Sequence, residues 1–240
     1  LRTSRWAGVD FWEQQARKHL NLDYIIDNSE VITVGLDGGG LDDLLGMAVC
    51  GRHKETKEWM LWNHAWCSKI VLERRKKEAA RFEDFKKQGD LTIIDRIGED
   101  CAAIGKIIFD IYSREILDKV GLDPMVIGGL IDGITKEGVP ADMLFAIAQG
   151  YKLAGYIQTT ERKLSGGVLI HCEQPLMDWC VSNAKAEKKG NNTLITKQAA
   201  GSAKIDPLIA TFNAVSLMSL NPEPKNDIDE YINNMIMVGV

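Results

Sequence analysis

Aspartates recur at the ends of apolar runs in this chain. Asp37 closes VITVGLD, Asp42 and Asp43 open the next apolar run after three glycines, and Asp123 closes a later run, VGLD. Asp206 stands two residues after Lys204, in KIDP at the start of an apolar stretch. Open α/β sheets place their chemistry at strand ends, so acidic side chains from separated segments are expected to converge at one edge of a sheet. Carboxylate oxygens without His or Cys partners suit a hard cation, Mg²⁺ or Mn²⁺, rather than zinc. Two such ions roughly 3.5–4 Å apart would activate a water and stabilise the leaving oxygen in phosphodiester hydrolysis. Each aspartate also has a structural role to set against this one, because an Asp after a strand commonly hydrogen-bonds the backbone of a turn or caps a helix.

The elements that must carry these groups read as an α/β alternation. A helix is expected over 5–20, then strands over 31–37, 44–52 and 58–66, the last two joined by the polar turn His53–Thr56. That pattern is an antiparallel three-strand meander. Helices follow over 70–88 and 98–119, separated by LTII at 91–94. A strand over 120–123 stops at Pro124, and IGGLIDGITKEG reads as a helix ending at Gly138. Beyond a short apolar segment at 141–147, a helix over 155–165, the strand GGVLIHC and the helix PLMDWCVSNAKA follow. Gly190, Asn191 and Asn192 mark a hairpin turn between two polar strands, and IDPLIATFNAVSLMSL reads as an amphipathic helix. The sum is a mixed sheet with helices on both faces. Three divisions are expected: a helical lead-in or linker remnant (1–30), the α/β domain (31–220) and a tail (221–240).

Composition narrows the function. With 240 residues and 45% apolar content, the chain can bury a large core. No apolar run approaches the ~20 residues that span a bilayer, and the first residues lack the apolar region of a signal peptide, so a cytoplasmic location is expected. Five scattered cysteines with no CxxC pair suggest neither a disulfide framework nor a zinc site. A net charge of −5 argues against attraction of nucleic acid by the whole surface, while leaving room for a local basic groove.

Four segments, taken in order, carry a family resemblance. GLDGGGLDDLLGMAV, VGLDPMVIGGLIDGITKEGV, QGYKLAGYIQTTERKLSGGVLIHCEQPLMDWCVSNAKA and AKIDPLIATFNAVSLM resemble the nuclease half of the phage terminase large subunit over about residues 30–220. The resemblance implies an RNase H-like fold and a metal-dependent endonuclease, with two Mg²⁺ or Mn²⁺ ions, that cuts concatemeric double-stranded viral DNA in the host cytoplasm. Position by position, it implies Asp37, Asp123 and Asp206 as catalytic metal ligands. Asp43 matches an accessory acidic position, with Asp42 the weaker candidate. The ATPase domain, small subunit and portal are the partners it implies, and no GxxxxGK[ST] phosphate loop of the ATPase occurs here.

Other residues have two readings each. Asn183 either orients a ligand from the end of WCVSN or caps a helix. Lys204 either neutralises a phosphate or is a solvated cap. Lys185, Lys188, Lys189 and Lys197 lie on or beside the hairpin, where they could rest against a DNA backbone. His171 reads as a strand-end surface or core histidine rather than a metal ligand, and Glu73–Glu78 as one charged helix face. Two other function classes stay open. GLDGGG also fits the phosphate hairpin of an actin-like or sugar-kinase-like nucleotide-binding module, although no second Asp-Gly phosphate turn follows. A non-catalytic docking domain for portal or small subunit is the third reading.

Overall fold

The β-branched run Val31–Val34 forces an extended backbone, and the long strand built on it organises the whole chain. The structure, a computed structural model, describes residues 5–40, 42–125, 127–190, 192–197 and 204–224. In chain order, α1 (Val9–Trp12) leads through a 3-10 turn to β1 (Ala16–Arg17), and α2 (Leu22–Asn28) precedes β2 (Ser29–Gly38). β3 (Leu45–His53) and β4 (Trp59–Ser68) complete the meander, followed by α3 (Lys69–Arg74), α4 (Ala79–Lys87) and β5 (Leu91–Ile94). Then come α5 (Glu99–Ser113), β6 (Leu117–Leu122), α6 (Ile127–Lys136), β7 (Leu144–Ala146), α7 (Ala154–Ser165), β8 (Leu169–Cys172) and α8 (Pro175–Ser182). The hairpin β9 (Ala184–Lys189) and β10 (Asn192–Lys197) precedes α9 (Asp206–Met218).

The main sheet runs β1-β8-β4-β3-β2-β6-β7, with β5 also pairing β4. β2, β3 and β4 are antiparallel, as expected of the meander, whereas β6, β7, β8 and β5 join in parallel. Because side chains alternate along a strand, β2 feeds two cores. Ile32, Val34 and Leu36 point to one that includes Ile104, Ile108, Leu130 and Ile134 from α5 and α6. Val31 points to another that includes Leu208, Ala210, Phe212 and Ala214 of α9 with Ile157 of α7. The chain is thus a mixed α/β sheet with helices on both faces.

Four expected boundaries move, each for a tertiary reason. The helix over 5–20 breaks because Ala16 and Arg17 pair in parallel with His171 and Cys172, and Trp6 and Trp12 are buried in the α9-side core. The helix over 70–88 splits at Arg75, whose backbone leaves the helical region (φ −112°, ψ 54°) while its guanidinium bonds Asp42. The helix over 98–119 ends at Ser113, and Glu115 takes a left-handed turn (φ 59°) so that the chain enters β6 beside β2. The helix begun at Pro175 stops at Asn183, because Ala184 pairs with Lys197 in the hairpin. The last helix is buried nearly all round rather than amphipathic, with Ile209 the one residue of Asp206–Met218 that is not fully buried.

Candidate active site

Register places two of the expected aspartates side by side. Leu36 pairs with Leu122 across the parallel strands β2 and β6, so Asp37 and Asp123 follow at adjoining strand ends, where strands lie about 4.8 Å apart. Thr33 and Gly35 of β2 face α9, and by alternation Asp37 shares that face. Gly121 of β6 likewise faces Leu217 of α9, and Asp123 is two residues on. Asp123 turns Oδ1 back to accept from the amide of Met125 at 2.8 Å, so the turn-forming role expected of a strand-end Asp is realised here.

Asp206 reaches the same place from the other direction. It is the first residue of α9 and is buried, and Pro207 after it suits the first helical turn. What lets α9 lie so close is the absence of side chains beneath it. A Cβ on Gly35 would come within 2.0 Å of the Ala210 carbonyl oxygen, and one on Gly46 within 2.6 Å of the Pro207 nitrogen. Gly46 is the partner of Asp37 in the β2–β3 ladder. A Cβ on Gly38 (φ 87°) would meet the Leu44 carbonyl at 2.0 Å and the Cβ of Asp206 at 3.2 Å. Asp37 and Asp206 therefore line one cavity of about 400 Å³, together with Gln149, Leu153, Ile157, Ile205 and Thr196.

A chain of side-chain amides fixes the strand ends against that helix. The Asn213 side chain donates to the Leu36 carbonyl (2.9 Å) and accepts from Gln149 Nε2 (3.0 Å). Gln149 Nε2 also reaches the Ile147 carbonyl (3.0 Å), and the Ile147 amide donates to the Leu122 carbonyl (2.8 Å). The residues immediately before Asp37 and before Asp123 are thus tied through α9. Asn63 of β4 adds a second tie, donating to the Pro207 carbonyl (3.1 Å) and to Thr211 Oγ1 (2.9 Å). Its own backbone is held by Gln174, which also donates to Asp90. Burial pushes the Asp90 carboxyl up, while bonds from the Leu176 amide and Gln174 pull the other way.

Asp43, Lys204 and Asn183 form a separate cluster. The Lys204 side chain is 1% exposed, and its ammonium bonds the Asp43 carboxylate and donates to the Asp42 carbonyl at 2.8 Å. Asn183 caps α8 and donates from Nδ2 to the Lys204 carbonyl (3.0 Å). This corrects the solvated-cap reading of Lys204, whose side chain is buried against Asp43. Asp43 lines a small cleft with Gly39, Gly40, Trp66 and Asp100, not the cavity of Asp37 and Asp206. His171 is buried, stacked on Trp12 (3.8 Å between centroids), and bonds the carbonyls of Trp12 and Cys172, so it is a core histidine rather than a surface one. Desolvation lowers its pKa.

The hairpin forms as expected, with Gly190 at positive φ in its turn, and Asn191 lies outside the described residues. Leu194, Ile195 and Thr196 of β10 wall the aspartate cavity. Lys188 is exposed and Lys185 half-buried, whereas the side chains of Lys189 and Lys197 lie outside the described residues. Among the described residues, no group of three or more His, Cys, Asp or Glu is placed to hold a metal ion. The residues that sequence reasoning missed are Asn213, Asn63 and Thr211. An Asn and a Thr inside the otherwise apolar IATFNAV carried the signal, because a polar side chain on a buried helix must find partners.

Comparisons with known proteins agree with this architecture. The family described as "Terminase large subunit, endonuclease domain" matches residues 6–221. A terminase large subunit of Lactococcus phage p2 is 24% identical over 86% of this chain, which spans 39% of that protein's length. The large terminase of bacteriophage HK97 superposes with a TM-score of 0.71 at 20% identity, covering 87% of this chain and 42% of that one. The large terminase nuclease of thermophilic phage G20c, also solved with bound magnesium, gives 0.56 at 10% identity, covering 90% of this chain and 98% of that one. These solved structures share the RNase H-like fold. The match over 6–221 displaces the nucleotide-binding alternative, which GLDGGG alone had left open. The chain belongs to the terminase large subunit endonuclease-domain family.

Proposed function

We propose that this chain is a metal-dependent endonuclease domain that hydrolyses phosphodiester bonds of concatemeric double-stranded DNA during viral packaging. The observation that carries the reading is the convergence of Asp37 and Asp206 on one cavity, with Asp123 at the adjoining strand end. The donor set fits a hard divalent cation: among largely aliphatic walls, the polar side chains lining the cavity are the carboxylates of Asp37 and Asp206, the Gln149 amide and the Thr196 hydroxyl, with no His or Cys. Asp37, Asp123 and Asp206 would hold Mg²⁺ or Mn²⁺. When bound, two such ions supply a nucleophilic hydroxide and neutralise charge on the leaving oxygen.

The chain's own residues do the positioning. Asn213 and Gln149 hold the β2 and β6 ends, the glycines let α9 bring Asp206 up to them, and Leu194 and Ile195 form one apolar wall. Asp43 is assigned to holding Lys204, which fastens Asp42 and Asp43 to the residues that lead into α9. DNA, the ATPase domain, the small subunit and the portal are the proposed partners.

Supercoiled plasmid incubated with Mg²⁺, with Mn²⁺ and with EDTA tests the reading, beside folded Asp37→Asn and Asp206→Asn proteins. Metal-dependent nicking lost in both variants is the expected result. Cutting that persists in both would overturn the carboxylate assignment, and no cutting with either metal would favour a docking role.

A further inference from the structure

We infer that the basic corner between α3 and α4, Arg74–Lys77, is a contact for the DNA backbone on the flank of the aspartate cavity. The inference rests on the nuclease reading and adds where the duplex lies. Register fixes the location. Asp37 pairs with Gly46, and Gly46 with Ala65 of β4, so β4 runs out at the same edge of the sheet, two strand spacings, roughly 10 Å, from Asp37. β4 ends at Ser68 and passes directly into α3. A duplex, whose major groove alone is about 12 Å wide, overhangs that edge when seated at Asp37.

Charge points the same way. Four consecutive cations stand in a chain whose net charge is −5. Arg74, Lys76 and Lys77 are exposed, and none of the described residues forms an ion pair with them. Glu73 and Glu78 flank the run without pairing to it. Arg75 differs: it is half-buried and reaches Asp42 at 3.3 Å, which pins the corner to the glycine loop after Asp37. One arginine thus anchors the turn while its three neighbours face solvent. An ordinary solvated helix face needs no such anchor, and these cations straddle the end of α3, Arg74 in its last turn and Lys76 and Lys77 in the break before α4.

The test is binding of a fluorescent blunt duplex across a salt series, with Ca²⁺ or EDTA to prevent cutting. Arg74→Ala/Lys76→Ala/Lys77→Ala is compared with wild type and with Lys54→Ala, which lies in the β3–β4 turn at the far end of the sheet. Each lost phosphate contact should lower the slope of log K against log salt by about 0.9, so the triple variant should lose roughly two to three units and Lys54→Ala none. In cutting assays its loss should fall on KM. A triple variant with unchanged slope and unchanged KM would overturn the inference while leaving the nuclease reading intact. Wild type that shows no salt-dependent binding would overturn it as well. If wild type cut DNA with neither Mg²⁺ nor Mn²⁺, the nuclease reading would fall, and the slope comparison would still decide whether the corner binds DNA.

Discussion

The two faces of the sheet are built on different rules. Under α5 and α6 the packing is almost entirely aliphatic, with Ile104, Ile108, Ile111, Leu130 and Ile134 against Ile32, Val34 and Val120. Under α9 the sheet offers Gly35, Gly46 and Gly121, and the contact is threaded with Thr33, Asn63, Thr211 and Asn213. Apolar burial is non-directional, so the first face stabilises the domain without fixing any atom closely. Buried amides are directional and costly to leave unmet, so the second face sets register to within a hydrogen bond. Cavity size does not separate them: a cleft of about 450 Å³ beside α5 and α6 is as large as the aspartate cavity. The carboxylates lie on the face that can hold them in place.

Four substitutions would break or sharpen that contrast. Asp206→Asn should lower DNA cutting by at least about 10²-fold, since charge stabilisation at a metal is worth several kcal/mol, with little change in melting temperature. A parallel loss of folding would mean that Asp206 serves the core instead. Gly35→Ala should destabilise by roughly 1–3 kcal/mol and also lower activity, because the added methyl pushes α9 off the sheet. Denaturant unfolding checks this, and an unchanged midpoint would show that α9 rides more loosely.

Asn213→Ala should cost about 1–3 kcal/mol by removing the bonds that its amide makes to the Leu36 carbonyl and Gln149 Nε2. Its signature is a fall in kcat at a temperature where the protein stays folded, which a purely structural residue would not give. Ile108→Val on the opposite face should cost only about 0.5–1.5 kcal/mol, with cutting at 25 °C equal to wild type. Activity loss there would erase the distinction between the faces.

Much of this was legible before any coordinates. Meander strands declare themselves through β-branched runs with period-two alternation, and Asp37 and Asp123 are marked by standing where such runs end. Errors clustered where a long-range partner overrode local periodicity: Ala16 leaving a helical pattern to meet His171, or Leu117 leaving one to lie beside β2. Lys204 was misread for a related reason. A lysine in AKID looks solvated because its partner, Asp43, is 161 positions away in sequence.

By itself, then, the sequence determined the residue types: the oxygen donors, the glycines and the polar positions within the last helix. Which carboxylates share a cavity was decided only by tertiary structure. Asp37 and Asp43 are six residues apart, yet the left-handed turn at Gly38 and the Lys204 ammonium send them to different clefts. Asp37 and Asp206 are far apart in the chain, yet α9 packing on bare glycine backbone brings them together. Proximity in a folded chain follows from packing, which no local pattern encodes.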